Sequence, residues 1–274
     1  MMTNAQTRYA FIGGGNMAEA IIAGVVRGDR QAAQKVTVAD ISPERRAYLQ
    51  EQYGVNAAES NAGAVGQSKV VVLAVKPYLL DEVKAELAPA LTEDHLTVSI
   101  LAGISRARLA DALGHPGRMV RVMPNLPAQV GCGVSAITFP EGLAESERNL
   151  VRPLFEAAGA VVEVEEDLQD VVTAVSGSGP GYLFELARAW IAAAEAEGLP
   201  PHVARTLVVQ TMLGAATVLQ QRDEDPAVWA QRVATPGGTT EAGLKVLADH
   251  DMSAMLHQVV HQAAQRSREL NQGK

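Results

Sequence analysis

The segment Tyr9-Ala10-Phe11-Ile12-Gly13-Gly14-Gly15-Asn16-Met17-Ala18 decides the fold class of this chain. A short apolar strand runs into three glycines and then opens a helix, which is the G-x-G-x-x-A form of the dinucleotide-binding fingerprint. The first glycine allows a tight turn, and the next one in the motif lets the backbone approach a pyrophosphate. We therefore predict that Gly13, Gly15, Asn16 and Met17 hold the pyrophosphate of a nicotinamide cofactor at the helix N-terminus. The alternative is a glycine turn that binds nothing.

Strand-like and helix-like patterns alternate through the first half of the chain. Short apolar runs recur at 36–39, 70–75, 96–101, 119–123 and 161–164, and helical periodicity separates them. This repetition predicts a Rossmann fold, an α/β architecture with a doubly wound parallel sheet and right-handed crossovers. From about Leu168 only helical periodicity remains. We expect a dinucleotide-binding domain over 1–165 and an all-helical domain over 166–274.

The residues that follow the predicted strands give the candidate cofactor contacts. Val75-Lys76-Pro77 ends the third strand, Ala102-Gly103 follows the fourth, and Met123-Pro124-Asn125 follows the fifth. Ligands of open α/β sheets bind at the carboxyl ends of the strands, so we expect these segments to line one cleft. Lys76 either faces the cofactor or extends into solvent.

The end of the second strand gives conflicting indications of cofactor type. Asp40 occupies the position where an acid accepts from the adenosine ribose 2′-hydroxyl, which favours NAD. Ser42, Arg45 and Arg46 follow it, and hydroxyl and guanidinium groups suit the 2′-phosphate of NADP. The choice between NADPH and NADH stays open at this point.

Two glycine-rich segments of the second half precede predicted helices. They are Ser176-Gly177-Ser178-Gly179-Pro180-Gly181-Tyr182 and Thr235-Pro236-Gly237-Gly238-Thr239-Thr240. A glycine turn lets a ligand approach the backbone, and a helix N-terminus with hydroxyls favours a carboxylate. Simple N-capping by Thr239 or Thr240 is the alternative for the second segment. Two such segments in one helical domain favour substrate binding.

Composition and charge exclude several classes of function. The net charge of −8 and the scattered basic residues disfavour a nucleic-acid partner. The run 70–75 is too short to span a bilayer, and Cys132 is the only cysteine, which excludes an intrachain disulfide. His257 and His261 lie four apart without an acidic third ligand, so we expect no metal site. We predict a cytoplasmic protein that does not bind membranes.

Over essentially its whole length the chain resembles the pyrroline-5-carboxylate reductase family. The motifs are Phe11 to Met17, Val75-Lys76-Pro77, Met123-Pro124-Asn125, Ser176 to Pro180 and Pro236-Gly237-Gly238-Thr239-Thr240. The resemblance implies a Rossmann domain joined to a helical domain that forms a homodimer, with assembly up to a decamer of dimers. The activity it implies is reduction of the ring C=N of 1-pyrroline-5-carboxylate to L-proline, the last step of proline biosynthesis. NADPH is the implied cofactor, and NADH is possible.

The resemblance also assigns individual residues. It implies that Asn56 and the Val75-Lys76-Pro77 segment touch the cofactor. Gly238, Thr239 and Thr240 would hold the carboxylate and ring nitrogen of the substrate, and we add Ser178 to the substrate contacts. Thr240 is the candidate catalytic hydroxyl, which hydrogen-bonds the ring nitrogen and helps to deliver or retain its proton. A protonated cyclic imine already accepts hydride, so neither a strong general base nor a metal is required.

Three departures from the family pattern and two competing functions remain. Gly181 stands where the family often has Ala, Gln231 where an acid is common, and Thr235 where Ser is usual. Gln231 therefore has no clear substrate role.

A β-hydroxyacid dehydrogenase or imine reductase would carry a lysine or aspartate on the first long helix of the second domain, where this chain has Glu185 and Arg188. A cofactor-binding regulatory protein would need only the first glycine motif.

Overall fold

The computed structural model describes residues 8–114 and 118–271 of the chain. Its backbone forms two compact units. The first consists of the residues up to Ser178 together with those from Gln262 onward, and the second is Gly179–His261. The domain limits of 1–165 and 166–274 stay a prediction.

The first unit is built on an eight-stranded sheet in the described residues. The strands are β1 (Tyr9–Ile12), β2 (Val36–Ala39), β3 (Asn56–Ala58), β4 (Val70–Leu73), β5 (Leu96–Ser99), β6 (Met119–Met123), β7 (Gly133–Thr138) and β8 (Gly159–Glu163). They lie in the order β3-β2-β1-β4-β5-β6-β7-β8. The first six are parallel, whereas β7 runs antiparallel to β6 and parallel to β8. The predicted Rossmann fold is confirmed, with a mixed rather than wholly parallel sheet.

Both faces of this sheet are buried. In β1, Tyr9 and Phe11 belong to one core cluster, and Ala10 and Ile12 belong to the other. The same alternation along β4 explains why the run 70–73 shows no polar residues, since a parallel strand covered on both faces has no solvent side. Helices cover the sheet from both sides, as a doubly wound fold requires.

The helices of the first unit are mostly short. They are α1 (Asn16–Gly28), α2 (Pro43–Tyr53), α3 (Asn61–Val65), α4 (Leu80–Leu87), α5 (Arg106–Leu113), α6 (Glu145–Glu156) and α7 (Gln169–Val172). Strand order reverses between β1 and β4, because β2 lies on one side of β1 and β4 on the other. Such a switch point opens a crevice at the carboxyl ends of the strands, where ligands bind.

The segment from Thr173 to Ala196 corrects one prediction. The glycine-serine stretch at 176–181 is not a turn. Thr173–Gly177 forms a π-helical turn, and the helix α8 (Gly179–Ala196) follows directly. The amide of Ser178 donates to the carbonyl of Thr173 (2.8 Å), which is the wide hydrogen bond of a π turn. Such turns within helices are frequent at functional sites.

The second unit is helical in all its regular structure. It contains α8, α9 (Pro201–Gln221), α10 (Pro226–Val233), α11 (Thr239–Asp249) and the first part of α12 (Met252–Asn271). Large apolar side chains remain exposed on these helices, among them Phe184, Trp190, Leu207, Leu213 and Met255. Among the described residues, α9 is the one helix that is long and apolar enough to cross a membrane. A single helix of this length and composition is weak evidence for a membrane span.

Candidate active site

A cleft of about 1080 Å³ opens at the carboxyl ends of the strands in the first unit. Its size is slightly above that of typical small-ligand sites, which are roughly 300–1,000 Å³. It lies at the strand-order reversal beside β1. Most of the predicted cofactor residues line it, namely Gly13, Gly15, Asn16, Met17, Asp40, Val75, Lys76, Pro77 and Ala102. The structure therefore brings together residues that are up to about ninety positions apart in sequence.

Gly13 makes the tight turn between β1 and α1. Its φ of +95° is a conformation that side chains rarely adopt, and a Cβ atom there would lie 2.9 Å from the carbonyl carbon of Ala74. The Gly13 amide donates to the carbonyl of Ala39 (2.8 Å), which ties the turn to the end of β2. The positive φ and the lack of space for a Cβ atom both require glycine at this position.

The N-terminus of α1 is free to bind an anion. Gly15 is its N-cap residue and supplies no side-chain cap, so the first-turn N–H groups are not satisfied by a side chain. A Cβ atom at Gly15 would meet no described atom within 4 Å, so a ligand can approach the backbone there. Aligned N–H groups and the helix dipole favour phosphate at such an end. These features fit the pyrophosphate of a dinucleotide.

Asp40 lines the cleft, but its carboxylate is already bonded to the backbone. Oδ2 accepts from the amide of Gly14 (2.7 Å), and Oδ1 accepts from the amide of Ser42 (2.9 Å). The guanidinium of Arg46 donates to the carbonyl of Asp40 (2.6 Å) and also lines the cleft. Arg45, by contrast, is paired with Glu19 (2.5 Å). Of these two arginines of α2, Arg46 is thus the one that lines the cleft.

The structure does not bring Asn56 or Gly103 to the cleft lining. Asn56 begins β3, and its side-chain Nδ2 donates to the carbonyls of Gln34 (2.9 Å) and Val36 (3.2 Å), toward the amino ends of the strands. Gly103 lies in a turn with φ of +68°, where a Cβ atom would be 3.1 Å from Cβ of Leu270. Both positions are held by packing or hydrogen bonds away from the cleft. The structure therefore does not support the predicted cofactor contacts of Asn56 and Gly103.

Asn61 takes the place in the cleft that was expected of Asn56. It begins α3, whose N-cap Ser60 accepts from the amide of Gly63 (3.1 Å), and both Ser60 and Asn61 line the cleft. The sequence signal was the Ser-Asn pair, because serine before a short apolar helix is a common N-cap. The rim segment at 123–125 and Gly177 of the π turn also line the cleft.

The glycine-threonine loop of the second unit leads directly into α11. Gly237 adopts a φ of +71°, and its amide donates to the Glu241 carboxylate (2.8 Å). Gly238 is the N-cap of α11, and no side chain caps the helix. Capping by Thr239 or Thr240 is therefore not observed. Within the described part of the chain their amides have no hydrogen-bond acceptor, which leaves donors for a carboxylate.

The side chains that would support other chemistries are placed elsewhere. Glu185 and Arg188 form an exposed ion pair (2.6 Å) within one turn of α8. His257 and His261 have ring centroids 6.3 Å apart, and no group of three metal-binding side chains occurs among the residues the structure describes. Cys132 is exposed and forms no disulfide.

Comparisons with known proteins agree with this architecture. Residues 166–270 match the family model for pyrroline-5-carboxylate reductase dimerisation, and residues 8–103 match the model for NADP oxidoreductase, coenzyme F420-dependent. The chain is 40% identical over 264 residues to the pyrroline-5-carboxylate reductase of Pseudomonas aeruginosa, covering 96% of each sequence.

Solved structures give the same result. A pyrroline-5-carboxylate reductase from Coxiella burnetii matches with a TM-score of 0.92 and 33% identity, covering 97% of this chain and 98% of that one. The pyrroline carboxylate reductase of Plasmodium falciparum with NADP bound matches with a TM-score of 0.85 and 25% identity, covering 97% and 98%. The cleft, the uncapped helix N-termini and 40% identity over 96% of the chain agree, and this chain belongs to the pyrroline-5-carboxylate reductase family.

Proposed function

We propose that this chain is an NAD(P)H-dependent enzyme that reduces 1-pyrroline-5-carboxylate to L-proline, the last step of proline biosynthesis. The observation that carries the proposal is the uncapped N-terminus of α1 over a cleft that continues along the carboxyl ends of the strands. The family membership of the chain adds the substrate. The Glu185–Arg188 surface pair offers no lysine or aspartate for the chemistry of a β-hydroxyacid dehydrogenase.

We assign the cofactor to the cleft of the first unit. When bound, the nicotinamide ring supplies a hydride from its C4 atom. The first-turn amides of α1 hold the pyrophosphate, and Gly13 keeps the turn closed against β4. Val75, Lys76, Pro77 and Ala102 line the cleft beyond the switch point, so we assign them to the remaining half of the dinucleotide.

We assign NADPH as the preferred cofactor and NADH as the second. Asp40 would normally repel a 2′-phosphate, but both of its oxygens accept backbone N–H groups here. Arg46 is held at the cleft edge by its bond to the carbonyl of Asp40. A guanidinium carries several N–H donors in a planar fork, so one such bond leaves others for a phosphate. The Plasmodium falciparum relative has NADP bound.

We assign the substrate carboxylate to the N-terminus of α11. The free amides of Thr239 and Thr240 and the adaptable backbone of Gly238 suit an anion there. Thr240 hydrogen-bonds the ring nitrogen, which is protonated in the reactive iminium form. As hydride adds to the imine carbon, the π electron pair of C=N moves to nitrogen. The nitrogen keeps its proton, and the product is the amine. Ser178, beside the cleft-lining Gly177, is assigned to the substrate as well.

We further propose that the enzyme is cytoplasmic and forms a homodimer through the helical unit. The exposed apolar side chains of α8, α9 and α12 support this interface, because soluble monomers rarely expose large apolar patches. The family model matched over 166–270 is one of dimerisation. The proposal extends to larger rings, up to a decamer of dimers.

The assay that tests the function measures cofactor oxidation by the purified chain with 1-pyrroline-5-carboxylate. We expect substrate-dependent loss of NADPH with matching formation of L-proline, and slower turnover with NADH. Absence of turnover with both cofactors would overturn the proposal. If titration of the same protein showed tight cofactor binding without turnover, the chain would be a cofactor-binding regulator instead.

A further inference from the structure

The peptide of Gly14, in the middle of the glycine turn, is held from both sides. Its N–H donates to Oδ2 of Asp40 (2.7 Å), and its carbonyl accepts from Nε of Arg45 (2.5 Å). Gly14 is buried, and a Cβ atom there would lie 2.8 Å from Cδ1 of Leu49 on α2. The start of α2 and the end of β2 therefore fix the turn before any ligand arrives. Because its N–H is used in this way, Gly14 is not a phosphate donor.

Glu19 creates an electrostatic problem in the same place. It lies in the first turn of α1, the helix whose N-terminus we assign to the cofactor pyrophosphate. A carboxylate at that end competes with phosphate for the positive end of the helix dipole and repels the phosphate charges. The negative charge of Glu19, so close to a phosphate site, therefore has to be neutralised by a nearby cation.

Arg45 supplies the positive charge that neutralises Glu19. Its Nη2 contacts Oε2 of Glu19 (2.5 Å), while Tyr48 and Tyr53 donate hydroxyl hydrogen bonds to Oε1 (3.0 and 2.8 Å). The guanidinium carbon of Arg45 also lies 5.1 Å from the ring centroid of Tyr48. Both oxygens of the Glu19 carboxylate are thus bonded toward α2.

Glu19 stays ionised and Tyr53 stays protonated at neutral pH. Burial alone would raise the pKa of Glu19, but the hydrogen bonds from Arg45, Tyr53 and Tyr48 outweigh burial and lower it below its ordinary value. Burial and the bond to Glu19 raise the pKa of Tyr53 to about 12, so the tyrosine remains a donor. Glu19 is therefore ionised whenever the enzyme works near neutrality.

We propose that Arg45 is a positioning residue for cofactor binding. It fixes the carbonyl of Gly14 and neutralises Glu19, so that the amides of α1 face the phosphates in a preformed geometry. Arg45 does not line the cleft and acts through the glycine turn rather than by touching the cofactor. This role rests on the proposed function only in that the cleft binds a nicotinamide dinucleotide.

The test compares Arg45→Gln with the unaltered chain by titration with NADPH alone, followed by steady-state kinetics. We expect the Kd and KM for NADPH to rise ~10-fold, because a charge-assisted bond is lost and Glu19 is left uncompensated. At saturating NADPH, kcat and the KM for 1-pyrroline-5-carboxylate should stay within ~2-fold. Adding Glu19→Gln to Arg45→Gln should recover part of the affinity by removing the free charge.

Arg118 offers a matched control. Its Nε donates to a backbone carbonyl, that of His95 (3.0 Å), and its Nη2 pairs with Glu147, so the bonding pattern repeats that of Arg45. Side-chain exposure is also alike, 25% and 23% for Arg118 and Glu147 against 25% and 21% for Arg45 and Glu19. Arg118 is outside the cleft lining. Arg118→Gln should lower the Tm to a similar degree without changing the Kd for NADPH.

Three results would overturn this role. They are an unchanged Kd in Arg45→Gln, an equal loss of affinity in Arg118→Gln, and no recovery when Glu19→Gln is added. Failure of the proposed function looks different. In that case the unaltered chain binds the dinucleotide but does not turn over 1-pyrroline-5-carboxylate, and the titrations still decide the role of Arg45.

Discussion

Arg46 is the basic side chain to which we assign the preference for NADPH. It lines the cleft and is anchored by the carbonyl of Asp40, whereas the Asp40 carboxylate faces backbone amides. Arg46→Gln should therefore lower kcat/KM for NADPH by roughly 10–100-fold, since a charge-assisted contact to phosphate is lost. The value for NADH should change by less than ~3-fold. Steady-state kinetics with both cofactors measures this, and a parallel loss with NADH would show that Arg46 does not meet a 2′-phosphate.

Thr240 is the residue for which the substrate chemistry makes a separate prediction. It lies in the first turn of α11, where we propose that its hydroxyl hydrogen-bonds the ring nitrogen. Thr240→Val keeps the side-chain volume and should lower kcat ~10–100-fold, while Thr240→Ser retains most of the activity. The Kd for NADPH should stay within ~2-fold, because the cofactor is assigned to the other unit. Full turnover in Thr240→Val would remove the hydroxyl from the mechanism.

The sequence predicted the residues of this site where a backbone motif decides their position. The turn at Gly13 follows from the motif because its φ of +95° admits little else. The environment of Asp40 could not be predicted, since two backbone amides that use its carboxylate come from the folded turn. Asn56 and Asn61 are equally polar and five positions apart, and only the register of β3 shows which of them reaches the carboxyl end of the sheet.

At the scale of elements, apolar runs predicted the central strands and missed two others. β3 (Asn56-Ala57-Ala58) is a short edge strand without β-branched or aromatic residues, so its sequence carries little strand signal. β7 (Gly133–Thr138) follows a Pro- and Gly-rich segment and runs antiparallel to β6, which a strand-helix repeat does not anticipate. The stretch at 176–181 was mistaken for a turn because glycine and serine have low helix propensity, and helical neighbours on both sides override it.

The packing of α1 on α6 depends on a glycine in the middle of a helix. A Cβ atom at Gly24 would lie 2.7 Å from the carbonyl carbon of Ala157 at the end of α6. Gly24→Ala should therefore destabilise the protein by about 1–3 kcal/mol, despite a gain in helix propensity of up to about 1 kcal/mol. Thermal unfolding should show a Tm lower by roughly 2–4 °C per kcal/mol.

Gly28 is the matched control on the same helix, since a Cβ atom there would meet no described atom within 4 Å. Gly28→Ala should leave the Tm unchanged or raise it slightly. If Gly24→Ala is as stable as Gly28→Ala, the two helices do not depend on this close approach.

At the scale of the whole molecule, the two units differ in how completely they bury their apolar residues. The sheet of the first unit has side chains with no exposure on both faces. The second unit leaves Leu183, Phe184, Leu186 and Leu213 more than half exposed. Contact with water makes such an apolar surface unfavourable unless another surface covers it. A second copy of the chain is the partner that homo-oligomeric symmetry most readily provides.

The mass of the protein in solution tests whether a second copy covers this surface. Leu213 on α9 is 59% exposed in the single chain, and Leu213→Arg would place a charge inside the proposed dimer interface. We expect light scattering to show particles of twice the 28.9 kDa chain mass, or larger rings, for the unaltered protein and a shift toward the single-chain mass for Leu213→Arg. Val130, an apolar residue of the first unit that is 72% exposed, provides the control. Val130→Arg makes the same change of chemistry outside the helical unit and should leave the dimer intact. If Leu213→Arg keeps the mass of the unaltered protein, α9 does not form the interface, and the exposed faces of α8 and α12 become the surfaces to alter next.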